Sequence, residues 1–338
     1  MSSNYRNFRN NVPWLIVLLE AAFIILFYFF VLNSDPSLSR VSYPDFQDVN
    51  HMVIFGFGFS LTFLKRYGFS STGFNLLIIA LGVQYSVLIE SVLVFFHQSE
   101  NRDSLKRAVV SMTAVVISTG AVLGKTNPVQ LILMTVVEAL AFRISGWINT
   151  TFLQVVPDNI SMMHVHLFGA YFGLAVSSRF SEPSPRSEKN ASTPKSDLLS
   201  MLGTLFLWVF WPSFNSVLAL DSKSRAIYNT YFALAVSAVT AFVLSVLTTK
   251  DGKFRMSHIR SAVLAGGVAV GYTAESIEYP WIAMILGLLA SGITILGSYR
   301  LQRCLNATFK IHDSSGVHVT FGLPGLLGAV AHVILFVI

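Results

Sequence analysis

Two histidine-bearing motifs are the places where this chain could do chemistry: His164-Val-His166-Leu-Phe168-Gly-Ala-Tyr171, and His312-Asp-Ser-Ser-Gly-Val-His318-Val-Thr-Phe321-Gly-Leu-Pro-Gly. Imidazole can pass a proton, hydrogen-bond a small polar molecule or bind a metal. Taken alone, a histidine on an apolar face reads as a satisfied core residue more readily than as a relay, and His51 and His164 have no context beyond packing or a rim position. Glu20, Glu90, Glu138 and Arg143 also fall inside apolar runs, where an unpaired charge is costly and pairing between helices is the ordinary solution. Glu138 and Arg143 are five residues apart, about 140° around a helix, so their partners are expected on other helices.

Other chemistries find no support. The one cysteine, Cys304, cannot form an internal disulfide, and no Cys/His spacing suggests zinc. There is no Gly-rich phosphate loop, nucleophile elbow or metalloprotease helix. The reading therefore expects no enzyme, no cofactor and no metal. The net charge of +6 is spread over short loops rather than gathered into a patch, which argues against nucleic acid as a partner.

The elements that must position these residues are membrane spans. The chain has 338 residues, 53% hydrophobic and 12% charged, with a mean hydropathy of +0.62. That is too apolar for a water-soluble surface, and lipid is the expected partner. Spans are expected near 13–32, 48–64, 71–96, 106–123, 128–150, 159–178, 198–217, 226–248, 257–275, 280–299 and 316–338. The first lacks a cleavage pattern and reads as a retained helix. Alternating sides from a cytoplasmic N-terminus puts Lys65, Arg66, Lys250, Lys253, Arg300 and Arg303 inside, as the positive-inside rule requires. Ser181 to Ser196, rich in Ser, Pro and charge, reads as a flexible cytoplasmic loop. Gly56, Gly58, Gly266 and Gly267 read as small residues that let helices approach. The chain stops at Ile338 in an apolar run, from which a truncated C-terminal end is expected.

Long stretches resemble the Rh blood-group polypeptides of the ammonium-transporter superfamily: Leu19–Phe30, Phe46–Ser70, Gly120–Lys125 (GAVLGK), Phe168–Leu174 (FGAYFGL), Gly203–Ser216 (GTLFLWVFWPSFNS) and Leu264–Gly271 (LAGGVAVG). With the matches between them they cover nearly the whole chain. The start MSSNYR, Glu90 in its context and the run from Asn229 look most like the D/CE-type branch, whereas Tyr43–Ser70 looks more like the Rh glycoproteins. The resemblance implies an all-α membrane protein, a polytopic bundle of the ammonium transporter/Rh channel fold. It forms a single domain over 1–338 with about eleven spans, against twelve in the family, and pseudosymmetric inverted halves. It also implies a plasma-membrane trimer, as homotrimer or with a Rh-associated glycoprotein, ankyrin-type cytoskeletal adaptors, and ammonia or ammonium as substrate.

Conducting members of the family carry two hydrogen-bonded pore histidines at mid-membrane and two stacked phenylalanines at the outer mouth. By resemblance, His166 falls at the first histidine position, but Phe321 stands at the second, immediately before Gly-Leu-Pro-Gly. An imidazole offers a donor and an acceptor; a phenyl ring offers neither. His318, three residues earlier, could substitute only if its helix slid or continued unbroken. Phe214 matches the inner gate phenylalanine, while Thr119 is aligned with the outer one. Asp158 matches an acidic residue below the recruitment vestibule, and could equally cap its helix. The expectation is a structural subunit with weak or lost ammonia conduction; the alternative is an active ammonia or carbon dioxide channel.

Overall fold

The computed structural model describes residues 3–31, 43–97, 104–152, 157–180, 191–219, 222–304, 309 and 311–336. Within these the chain forms eleven helical rods and no strand. In order they are α1 (Ser3–Phe30); a broken rod of α2 (Tyr43–Asn50), a π-helical segment (His51–Phe57), α3 (Gly58–Ser60) and a 3-10 turn (Leu61–Phe63); α4 (Gly68–His97); α5 (Ser104–Val122); α6 (Pro128–Thr151); α7 (Pro157–Ser177); α8 (Pro194–Ser216); α9 (Lys223–Thr248); α10 (Met256–Ala269); α11 (Pro280–Cys304); and a π-helical segment (His318–Gly322) running into α12 (Leu323–Phe336). Among the described residues, eight helices are long and apolar enough to cross a membrane.

Successive rods alternate in direction. At what we call the lower end, the Lys65 amide donates to the Ala191 carbonyl at 3.0 Å and the Ser314 amide reaches the Ala121 carbonyl at 3.4 Å. At the upper end, Lys223 pairs with Asp45 at 2.6 Å and Glu275 accepts from the Ser222 amide at 2.9 Å. Large apolar side chains such as Trp14, Leu18, Tyr28, Leu133, Trp147, Val239 and Leu247 point outward, whereas Glu138, His166, Thr113 and Asn229 are buried. This inside-out distribution is what a hydrocarbon solvent selects.

α5 is the central post, buried from Ala108 to Val122 except at Ser111. Glycines let neighbours lie directly on it. A Cβ on Gly169 would stand 2.6 Å from the Ala114 carbonyl oxygen, and one on Gly173 would stand 2.7 Å from the Ser118 Cα. The other half repeats the device, because a Cβ on Gly328 would lie 2.3 Å from the Ala269 carbonyl oxygen. α7 thus packs on α5 as α12 packs on α10, the pairing expected of two related halves. Gly56 and Gly266 serve the same close approach, to Leu207 and to Ala233 respectively.

The charges inside spans do find partners on other helices. Glu90 and Arg143 join α4 to α6 at 2.9 Å, and the Gln84 amide of α4 donates to Glu20 of α1 at 3.2 Å. Glu138 meets no cation among the described residues, only the Ser118 hydroxyl. Where α10 ends at Ala269, the freed backbone is satisfied by side chains, as apolar surroundings require. The Asn229 amide donates to the Ala274 and Ile277 carbonyls at 2.9 and 2.7 Å.

Several expected boundaries move: α1 starts at Ser3 rather than near 13, and α10 ends at Ala269 rather than near 275. The second rod is not one continuous helix over 48–64 but starts at Tyr43 and is broken at mid-length. The expected loop 181–196 is shorter than drawn. Its residues 181–190 lie outside the described ones, but Thr193 to Ser196 form a capping box. The Thr193 hydroxyl accepts from the Ser196 amide at 3.2 Å and the Ser196 hydroxyl accepts from the Thr193 amide at 2.8 Å. With Pro194 at the first helical position, α8 begins before 198.

Candidate functional site

At mid-bundle, His166 of α7 is fully buried within a cluster of aromatic rings. Its ring lies nearly parallel to that of Trp211, 5.5 Å away at 22°, and to that of Phe321, 5.9 Å away at 23°. Phe214 tilts against it at 6.0 Å, and Phe57 packs on Phe321 at 6.0 Å. Neither nitrogen of His166 has a hydrogen-bond partner among the described residues. Rings from α8 and from the π turn before α12 therefore close on the imidazole of α7, with Phe57 of the broken rod packed behind Phe321.

Local sequence explains why each ring points there. Phe321 sits in the widened π turn His318–Gly322. Pro324 follows it; a proline has no N–H with which to tie back one turn, and the strain is relieved in such a bulge. The rod is anchored below by Asp313, whose carboxylate accepts from the amides of Gly316, Val317 and His318 at 2.9, 3.0 and 2.9 Å. Burial raises the Asp313 carboxyl above its ordinary range, and those three N–H donors work in the opposite direction. This cap fixes the register that aims Phe321 at His166.

Of the sequence-expected residues, the structure brings His166, Phe321 and Phe214 together. His318 is elsewhere: it meets the Tyr171 ring edge-on at 5.9 Å. Tyr171 lies five residues beyond His166 on α7, about 140° around the helix, so His318 faces a different side and does not stand in for the missing partner. Asp158 falls in the first turn of α7, and its side chain lies outside the described residues.

Thr119 is a correction. α5 and α7 run side by side in the same direction with Ala114 level with Gly169 and Ser118 level with Gly173. His166 is thus level with position 111, and Thr119 lies eight residues further down, about 12 Å at 1.5 Å per residue. It is near the lower end, in a cavity of about 60 Å³ shared with Tyr67 and Leu123, and its hydroxyl donates to the Val115 and Val116 carbonyls. It cannot stack above Phe214 at an upper mouth. At His166's own level α5 presents the buried Val109 and Val110.

Sequence reasoning passed over Trp211, Phe57, Asp313 and Arg260. Trp211 carried a signal, a tryptophan two residues into the quoted FWPSF run of an apolar helix. Below Phe321 lie a cavity of about 40 Å³ and, continuing downward, a polar vestibule of about 540 Å³.

A bundle of antiparallel membrane-crossing rods, glycine-packed in two related halves around a buried histidine, defines a polytopic channel or transporter fold. Comparison with known proteins gives the family. The model of the Ammonium Transporter Family matches residues 14–338, and the chain belongs to that family. It is 43% identical to the ammonium transporter Rh type B-B of Xenopus laevis, over 98% of this chain and 77% of that one. It is likewise 43% identical to the blood group Rh(D) polypeptide of Rattus norvegicus, over 100% and 84%. Among solved structures it superposes on the Nitrosomonas europaea Rh50 channel with a TM-score of 0.80 at 30% identity, covering 90% of this chain and 81% of that one. It is a multi-pass membrane protein of the Rh kind.

Proposed function

We propose that this chain is a plasma-membrane Rh subunit whose own ammonia conduction is weak or lost, and whose role is structural within a trimer. The observation that carries the reading is Phe321 stacked on His166, with both imidazole nitrogens left without partners. A polar molecule crossing a dry constriction needs groups that replace its hydration. Here one such group remains, sealed between rings. The lower end, with Lys65 and Arg66 at its turn, is the cytoplasmic one by the positive-inside rule. The trimer partner is a second copy or a Rh-associated glycoprotein, with an ankyrin-type adaptor beneath, by analogy with the family the chain resembles.

Expression in yeast lacking its own ammonium transporters tests this. Growth on limiting ammonium should stay near the empty-vector level; rescue matching a conducting homologue at equal surface expression would refute it. The second reading, a conduit for neutral ammonia or carbon dioxide, is favoured by the retention of His166 in apolar surroundings. Stopped-flow gas permeability of proteoliposomes separates the two.

A further inference from the structure

We infer that the neck between the two lower cavities binds one small monovalent inorganic anion, with Arg260 as its principal ligand. The cavity under Phe321 and the wider vestibule share four lining residues, Phe63, Arg260, Ser261 and Ser315, so these form the passage between them. The Arg260 guanidinium carbon lies 3.9 Å from the centroid of the Phe63 ring, and one of its nitrogens donates to the Ser200 hydroxyl at 3.3 Å. Guanidinium has five N–H donors and no acceptor. No carboxylate among the described residues is within ion-pair distance of it, although Asp197 lines the vestibule.

The remaining lining points the same way. Thr320, only 5% exposed, lines the upper cavity together with Arg260, and its hydroxyl has no hydrogen-bond partner among the described residues. A buried hydroxyl without a partner costs free energy unless something supplies one. Arg255 also lines the vestibule but is paired with Asp251 at 3.7 Å, and the one carboxylate among the lining residues is that of Asp197. The other buried acid close in sequence, Asp313, is turned onto three backbone N–H groups. Donors therefore outnumber acceptors where the passage narrows. The upper cavity, about 40 Å³, exceeds the roughly 10–15 Å³ that one water-sized particle needs, so a halide-sized ion fits. The same fixed charge repels a cation one step before Phe321.

This inference stands apart from whether ammonia crosses. It is tested on the full chain in detergent by chloride-dependent broadening of the chlorine NMR line, and by bromide anomalous scattering from crystals. The expected result is saturable broadening and a bromide peak in contact with Arg260. Arg260→Gln should weaken chloride binding at least tenfold. Thr320→Val should weaken it several-fold while leaving the melting temperature unchanged or higher, because it removes a lone buried hydroxyl. Equal broadening in the wild type and Arg260→Gln, or bromide located away from the neck, would overturn the assignment. If Arg260→Gln does not yield folded protein, Arg260→Lys and Thr320→Val decide: wild-type affinity in both would overturn it equally.

Discussion

Replacing Phe321 with histidine puts the pore reading to its most direct test. The substituted ring would face His166 from the position where the phenyl now lies, 5.9 Å between centroids and 23° from parallel. That separation lets two imidazoles meet edge to edge through one N–H···N bond after a modest rotation. Each buried polar atom left without a partner costs about 1–3 kcal/mol, and a made bond contributes about 1 kcal/mol net. Loss of the phenyl's stacking offsets about 0.5–1.5 kcal/mol of that gain, so the fold's stability should change by roughly 1 kcal/mol or less. Conduction should change more. A crossing molecule gains a partner at the narrowest point, worth about 1.5–3 kcal/mol, or roughly 10- to 100-fold in rate at 1.4 kcal/mol per decade. The assay is the internal pH rise of dye-loaded proteoliposomes after an ammonium jump in a stopped-flow instrument. Phe321→Leu is the control, since it reduces bulk without adding a hydrogen-bonding group. No increase in Phe321→His, in protein that keeps its melting temperature and oligomeric state, would refute the reasoning; an equal increase in Phe321→Leu would show that bulk alone sets the limit.

Two further outcomes follow from the packing. Thr119→Phe should not improve conduction, either alone or on top of Phe321→His. In a cavity of about 60 Å³ the larger ring overpacks the lower end and should cost about 1–3 kcal/mol, read as a lower melting temperature. Asp313→Asn sets an amide NH2 or a weaker acceptor against the three amides that the carboxylate now holds. It should cost about 1–3 kcal/mol and alter the environment of Trp211, whose ring lies 6.5 Å from that of Phe321, so tryptophan fluorescence and thermal unfolding report it together.

The rods were legible because hydrocarbon imposes one rule on every span, and runs of apolar residues announce it. The meeting of Phe321 with His166 was legible through the resemblance, which places both motifs at one level of the bundle, and the two rings do stack there. What escaped was whatever depended on depth and on neighbours. Thr119 precedes a quotable motif, GAVLGK, and that motif invited an alignment; only the register of α5 against α7, set by Gly169 and Gly173, shows that it lies about 12 Å too low. The break at His51–Phe57 leaves no simple trace either, since no proline follows it as Pro324 follows the π turn at His318–Gly322. Arg260 stands near a helix start among other basic residues, with nothing in the sequence to set it apart. Its meaning comes from Phe63 and Thr320, distant in sequence and brought beside it only by the fold.

The layer of rings around His166 has an electrical consequence. A cell membrane holds a voltage, and each elementary charge that slips across 100 mV dissipates about 2.3 kcal/mol. Any protein that spans such a membrane must be an insulator to ions at rest, and closely packed aromatic hydrocarbon is a good one. Trp211, Phe214, Phe57 and Phe321 turn the middle of the bundle into a bushing, across which an ion would find no polar path to leak along.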